Sequence, residues 1–182
     1  MRQVTGVTPL TGTVKLVTIH SSDPFATPDD QRSPVRRLRG RLPSPVTLWT
    51  ADPRAGLTVS SAEIVDGDPA RLLGLVDEES ELWDAASASG RFVIFPLGKD
   101  DQQLADRFAG LLPAPGGLFA GAEWTATEWG PVLAGRATWA GCRVDAARPF
   151  GWSMLVEATI EHVEVGPDEP PLLHYRGRYH AL

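Results

Sequence analysis

From residue 45 onward the chain is cut into short runs of β-branched and aromatic residues, each ended by proline, glycine or aspartate. Val46-Thr47-Leu48-Trp49-Thr50-Ala51 stops at Asp52-Pro53-Arg54-Ala55-Gly56, and Leu57-Thr58-Val59-Ser60-Ser61 resumes beyond it, which predicts a hairpin. Further strands are predicted over Arg71 to Val76, Arg91 to Leu97, Pro131 to Ala140 with Cys142 to Ala146 continuing it, and Trp152 to Val165. Runs this short bury their apolar faces only by pairing with one another. Many strands with few helices predict a closed antiparallel barrel.

The few helical signals fall between the strands. Ser33 followed by Pro34 predicts an N-cap and first helical position, leading through Val35-Arg36-Arg37-Leu38-Arg39 to Gly40. Asp77 is the expected N-cap of a second helix running through Leu82, Trp83, Ala85 and Ala86 to a stop at Gly90. A third begins near Asp100, keeps Leu104 and Phe108 on one face, and ends at Gly110. Pro96 puts the end of its strand on a sheet edge or at a bulge. Residues 111 to 130 mix Pro and Gly with Phe119, Trp124 and Trp129, the composition of a functional loop such as a lid or a dimer arm. Residues 12 to 19 read as a strand, residues 21 to 34 as a connection, and Leu172 to Tyr179 as a closing strand and turn.

With 182 residues there is room for one domain, residues 34 to 182, and an N-terminal extension, residues 1 to 33, packing on it. A net charge of -6 argues against nucleic acid or an anionic membrane as partner. The single cysteine, Cys142, closes no intramolecular disulfide and reads as a small core residue, which with the absence of a signal or spanning segment points to the cytoplasm. His20, His162, His174 and His180 show no metal-ligand spacing, so no metal is expected. No Rossmann or P-loop glycine pattern and no Gly-x-Ser-x-Gly elbow is present, which removes nucleotidase and hydrolase readings.

Five motifs in order carry a resemblance: Pro45-Val46-Thr47 through Thr50, Gly56 to Ser61, Gly90-Arg91-Phe92-Val93, Leu104 to Gly110, and Arg176-Gly177-Arg178-Tyr179. In order and spacing they resemble the flavin reductase-like family over roughly residues 34 to 182. That resemblance implies a mainly β fold, a six-stranded antiparallel Greek-key split barrel with a few short peripheral helices. It implies a homodimer with FMN, or FAD, at the subunit interface, NAD(P)H as co-substrate, and by analogy a partner monooxygenase. Flavin reduced by NAD(P)H would pass its electrons to a second acceptor.

The residue types agree with such a ligand. A flavin ring edge carries carbonyls and an N–H, which backbone amides and small hydroxyls along Thr58, Val59, Ser60 and Ser61, with Thr50 on the facing strand, can meet. The resemblance puts the flavin phosphate at the junction from Asp77 to Leu82, where Ser80 is the expected hydroxyl and Trp83 a packing neighbour. Arg178 is the expected phosphate or pyrophosphate contact near the C-terminus, with His174 and His180 close by. No side chain is expected to act as acid or base, because hydride transfer requires none. Glu78, Glu79 and Glu81 would repel a phosphate, and Arg36, Arg37, Arg39 and Arg41 are the candidates to neutralise it. The same glutamates support an alternative, a non-redox split-barrel binding module with weak or lost flavin binding. The aromatic loop around Trp124 and Trp129 supports a third, an oxidoreductase with tightly held flavin and its own organic substrate.

Overall fold

The β-branched runs pair into one curled antiparallel sheet. The structure, a computed structural model, describes residues 33–181. In chain order it contains α1 (Pro34–Arg39), β1 (Ser44–Pro45), β2 (Thr47–Ala51), β3 (Ala55–Val59), β4 (Ala62–Val65), β5 (Arg71–Val76), α2 (Glu81–Ser89) and β6 (Arg91–Pro96). A 3-10 turn (Lys99–Asp101) then leads into α3 (Gln102–Phe108), β7 (Trp124–Ala126), β8 (Pro131–Leu133), β9 (Trp139–Phe150), β10 (Ser153–Glu164), β11 (Leu172–Tyr175) and β12 (Arg178–Ala181). The main sheet runs β3-β2-β6-β9-β10-β5-β4. Its two edge strands are consecutive in sequence, so the chain steps from one edge to the other through Ser60 and Ser61. There the Leu75 N–H donates to the Ser61 carbonyl at 2.9 Å, extending the β4–β5 pairing by one residue into the corner.

The barrel expectation therefore holds, with seven strands in the main sheet where six were expected. The extra one is β4, whose Ile64 and Val65 lie exposed beside polar neighbours and give no alternating signal. Small sheets β1-β11-β12 and β7-β8 flank it. Trp124–Ala126 thus pairs inside a stretch expected to be loop, and the Pro131 to Ala140 run is interrupted between β8 and β9. The closing segment is a full hairpin, with Tyr175 facing Arg178. Pro96 lies beyond Ile94, the last residue of β6 paired with β9, so its missing N–H costs no ladder bond on that side. Residues 12 to 19, the 21 to 32 connection and the N-terminal extension expected to pack on the barrel lie outside the described residues.

Two apolar clusters sit on either side of β2 and β3. Trp49, Val59, Leu72, Phe92, Cys142 and Val156 form one together with Leu82, Ala85 and Ala86 of α2. Leu48, Val93, Phe95 and Leu172 form the other with Ala105 and Phe108 of α3. Trp49 and Phe92 stack at 4.7 Å with 10° between their planes, fixing β2 against β6. The N-cap of α2 is Ser80 and not Asp77, because the Ser80 hydroxyl accepts from the Trp83 N–H at 3.2 Å. Asp77 instead closes the turn before it, accepting from the Glu79 N–H at 3.0 Å. Gly90 ends α2 at φ 71°, a left-handed conformation that favours glycine. Among the described residues no helix is long and apolar enough to cross a membrane.

Candidate functional site

The closure of the sheet assembles the site. The Ser61–Leu75 bond sets the Ser60-Ser61 corner beside the end of β5, two residues before Asp77. The strand expected at the flavin ring and the turn expected at its phosphate, distant in sequence, are therefore neighbours.

The nine expected contacts divide by what their side chains already do. Thr50 is fully buried and its hydroxyl donates to the Pro131 carbonyl, so it anchors β2 to β8 and offers no group to a ligand. Thr58 is half-buried and donates to the Ala105 carbonyl at 2.7 Å, tying β3 to α3. Val59 is a core residue at 3% exposure, leaving only its backbone on the edge. Ser60 and Ser61 are half-buried at the corner, and the Arg39 guanidinium lies 3.4 Å from the Ser61 hydroxyl. Asp77 is exposed, and Ser80 is half-exposed with its hydroxyl capping α2 and donating to the Asp77 carbonyl at 2.6 Å. Trp83 packs partly buried against the core cluster that holds Trp49. Arg178 is exposed on β12, paired across the hairpin with Tyr175.

Charge is sorted by face. Glu78, Glu79 and Glu81 stand exposed around the start of α2. Arg36, Arg37, Arg39 and Arg41 stand exposed on and after α1, on the side of the β11–β12 hairpin, whose Arg176 N–H donates to the Gly40 carbonyl at 2.9 Å. Within that hairpin, burial, then the Arg39 guanidinium and His180, hold the His174 imidazole below its ordinary pKa. Burial, together with the Asp106 carboxylate that hydrogen-bonds it, pushes the Tyr179 phenol up to about 12. The Tyr179–Asp106 pairing of β12 with α3 had no sequence signal, since the two residues meet only through the fold.

Comparison with known proteins follows from this architecture. A model of the flavin reductase like domain matches residues 39–182. The chain belongs to that family. Among curated flavin reductase-like relatives, the reductase subunit HsaB of a flavin-dependent monooxygenase from Mycobacterium tuberculosis is 29% identical over 153 residues, covering 81% of this chain and 80% of the relative. The NADH:FMN oxidoreductase of Rhodococcus erythropolis is 31% identical over 160 residues, covering 83% and 80%. Among solved structures, nitrilotriacetate monooxygenase component B from Mycobacterium thermoresistibile superposes with a TM-score of 0.73 at 28% identity, covering 81% of this chain and 84% of that one. The flavin reductase-like match begins at Arg39, the residue that touches Ser61.

Proposed function

We propose that the chain is an NAD(P)H-dependent flavin oxidoreductase that reduces FMN, with FAD the alternative, and supplies a partner monooxygenase. The observation that carries this reading is the Ser60-Ser61 corner, where the bond to Leu75 sets small hydroxyls beside the end of β5, which leads into the capped start of α2, and within reach of Arg39. Its donor set fits a flavin: hydroxyls and backbone for a ring edge, a guanidinium for negative charge, and a helix start with Ser80 for a phosphate. Flavin when bound supplies the hydride and electron chemistry. The protein's part is to hold and orient. Ser60 and Ser61 hydrogen-bond the ring edge along the backbone of Thr58 and Val59, Ser80 with Asp77 frames the phosphate, and Trp83 walls that end. Thr50 and Thr58 act indirectly, locking β2 and β3 through Pro131 and Ala105. Arg178 guards the hairpin side.

The functional unit in this reading is a cytoplasmic homodimer with flavin at its interface, built on residues 34 to 182 with the preceding residues as an extension. Support comes from an exposed apolar set on the sheet edge and the β9–β10 turn: Ile64, Val65, Leu73, Phe150 and Trp152, the last 100% exposed. Sedimentation of wild type and Trp152→Ser tests it; a monomeric wild type refutes the dimer. For the activity, NADH and NADPH oxidation is followed with added FMN and FAD. Turnover with at least one pair is expected, and none with any pair refutes it. Exposed Glu78, Glu79 and Glu81 favour the binding-module reading. Flavin titration by fluorescence decides between the two, because a module with a dead site does not quench flavin at physiological salt.

A further inference from the structure

Of the six arginines on α1, just after it and on the C-terminal hairpin, only Arg39 and Arg178 have been assigned a contact above. Arg36, Arg37 and Arg39 belong to α1, Arg41 follows it, and the Arg176–Gly40 backbone bond brings the turn bearing Arg176 and Arg178 against the helix end. Six guanidinium groups thus share one rim in a chain of net charge -6. Elsewhere Arg71, Arg91, Arg136 and Arg143 each meet a carboxylate. Among the described residues no carboxylate is paired with any of the six on the rim, a self-repelling arrangement that a polyanion relieves.

We infer that this rim binds the 2′-phosphate of NADPH and so selects the phosphorylated dinucleotide over NADH. The inference rests on the flavin reductase reading and names its co-substrate. Three features of the structure lead to it. First, the rim begins at the proposed ring site, since Arg39 reaches the Ser61 hydroxyl. A nicotinamide brought to that corner has its adenosine end pointing outward, and the phosphate there must choose between two faces. Second, the α2 face already holds the flavin phosphate in that reading, and its exposed Asp77, Glu78, Glu79 and Glu81 disfavour a further dianion, while the hairpin face carries the six arginines, with the Asp106 carboxylate engaged by Tyr179. Third, the hairpin sets flat groups beside the charge. The Arg176 guanidinium lies 5.4 Å over the Tyr175 ring, which itself packs edge-on against His180 at 6.0 Å, giving flat groups on which a purine stacks. The forked guanidinium geometry of Arg36 and Arg37, free on an exposed helix face, suits bidentate contact with a phosphate monoester.

NADH and NADPH differ only by that phosphate, so their ratio isolates the rim. Kinetics with saturating FMN are measured for both, in wild type, Arg36→Gln/Arg37→Gln and Arg176→Gln. Wild type is expected to favour NADPH by about tenfold or more in kcat/KM, mostly through KM, as two or so charge-assisted contacts would give. That preference should shrink with added salt and approach one in the double variant. Equal or reversed preference in wild type, or an unchanged ratio in the double variant, overturns the inference. Binding of adenosine 2′,5′-bisphosphate against 5′-AMP, by calorimetry, reads the rim without turnover. Tighter binding of the bisphosphate, lost in the double variant, supports the rim even if no flavin is reduced; equal binding refutes it whatever the kinetics. Absence of turnover with both nucleotides and both flavins counts against the flavin reductase reading alone.

Discussion

Gly74 is the position where closure of the barrel is most sharply testable. It lies in β5 between Ala62 of β4 and Val156 of β10. A Cβ added there would meet Trp49 Cη2 at 2.6 Å, Cζ2 at 2.8 Å and the Ser61 carbonyl oxygen at 3.1 Å. Whether Trp49 can yield decides the sign. It is 1% exposed, Phe92 stacks on it at 4.7 Å, and its Nε1–H donates to the Thr47 hydroxyl at 3.0 Å. That hydroxyl in turn donates to the Val59 carbonyl at 2.7 Å, so pushing the indole also pushes β3. Overpacking of this kind costs about 1–3 kcal/mol. Replacing a strand glycine by alanine returns about 0.5–1 kcal/mol of backbone entropy. The net for Gly74→Ala is a loss of roughly 1.5 kcal/mol, a fall in Tm of about 3–6 °C for a domain of this size. Thermal unfolding by circular dichroism measures it, with Gly40→Ala as control, since φ there is -64° and the nearest atoms are 3.5 and 3.7 Å away. Flavin affinity should fall with it, because besides Trp49 the added Cβ crowds the Ser61 carbonyl at the proposed ring corner. A Gly74→Ala protein melting at or above wild type would mean that Trp49 is not wedged, and the account of how the site is held would be wrong.

Other positions give independent checks. Ser80→Ala removes the N-cap of α2 and should cost about 1 kcal/mol in denaturant unfolding, with Ser80→Asp restoring most of it. Cys142, whose thiol burial followed by the Glu161 charge pushes up to about 12, should resist alkylation at pH 8 in the native protein and label only after unfolding. His174 has a folded pKa below its unfolded one, so the unfolded chain binds the extra proton. Stability should therefore decline as pH falls below about 6.5 and level off once pH passes the lowered folded value, a slope that His174→Gln removes in urea titrations at stepped pH.

What could be read from the sequence follows the range over which each signal acts. The β2–β3 hairpin, β5, β6 and α1 with its Ser33 cap were legible because alternation, a turn cluster or a cap motif lies within a few residues. β4 was not, since Ala62–Val65 pairs on one side only and leaves Ile64 and Val65 outside. The cap of α2 was misplaced by three residues for a local reason: Asp77 and Ser80 are both good capping residues, and the turn between them uses both. β7 was hidden by the prolines and glycines around it; its partner β8 begins at Pro131 itself.

The site shows the same division more sharply. Thr50 and Thr58 were expected as ligand groups because small hydroxyls suit the polar edge of a flavin ring; the Pro131 and Ala105 carbonyls, 81 and 47 residues away, accept from both hydroxyls. Ser60 and Ser61 stay half-buried because the chain crosses between sheet edges there, where neither strand covers them fully. The sequence also set arginines against glutamates as if they competed for one phosphate. The fold puts the glutamates at the start of α2 and the arginines beside the C-terminal hairpin, joined only at Ser61 through Arg39. Opposite charges on separate faces of one corner do not cancel for a long ligand; they orient it, and in the inference drawn above the 2′-phosphate of the dinucleotide goes to the arginines.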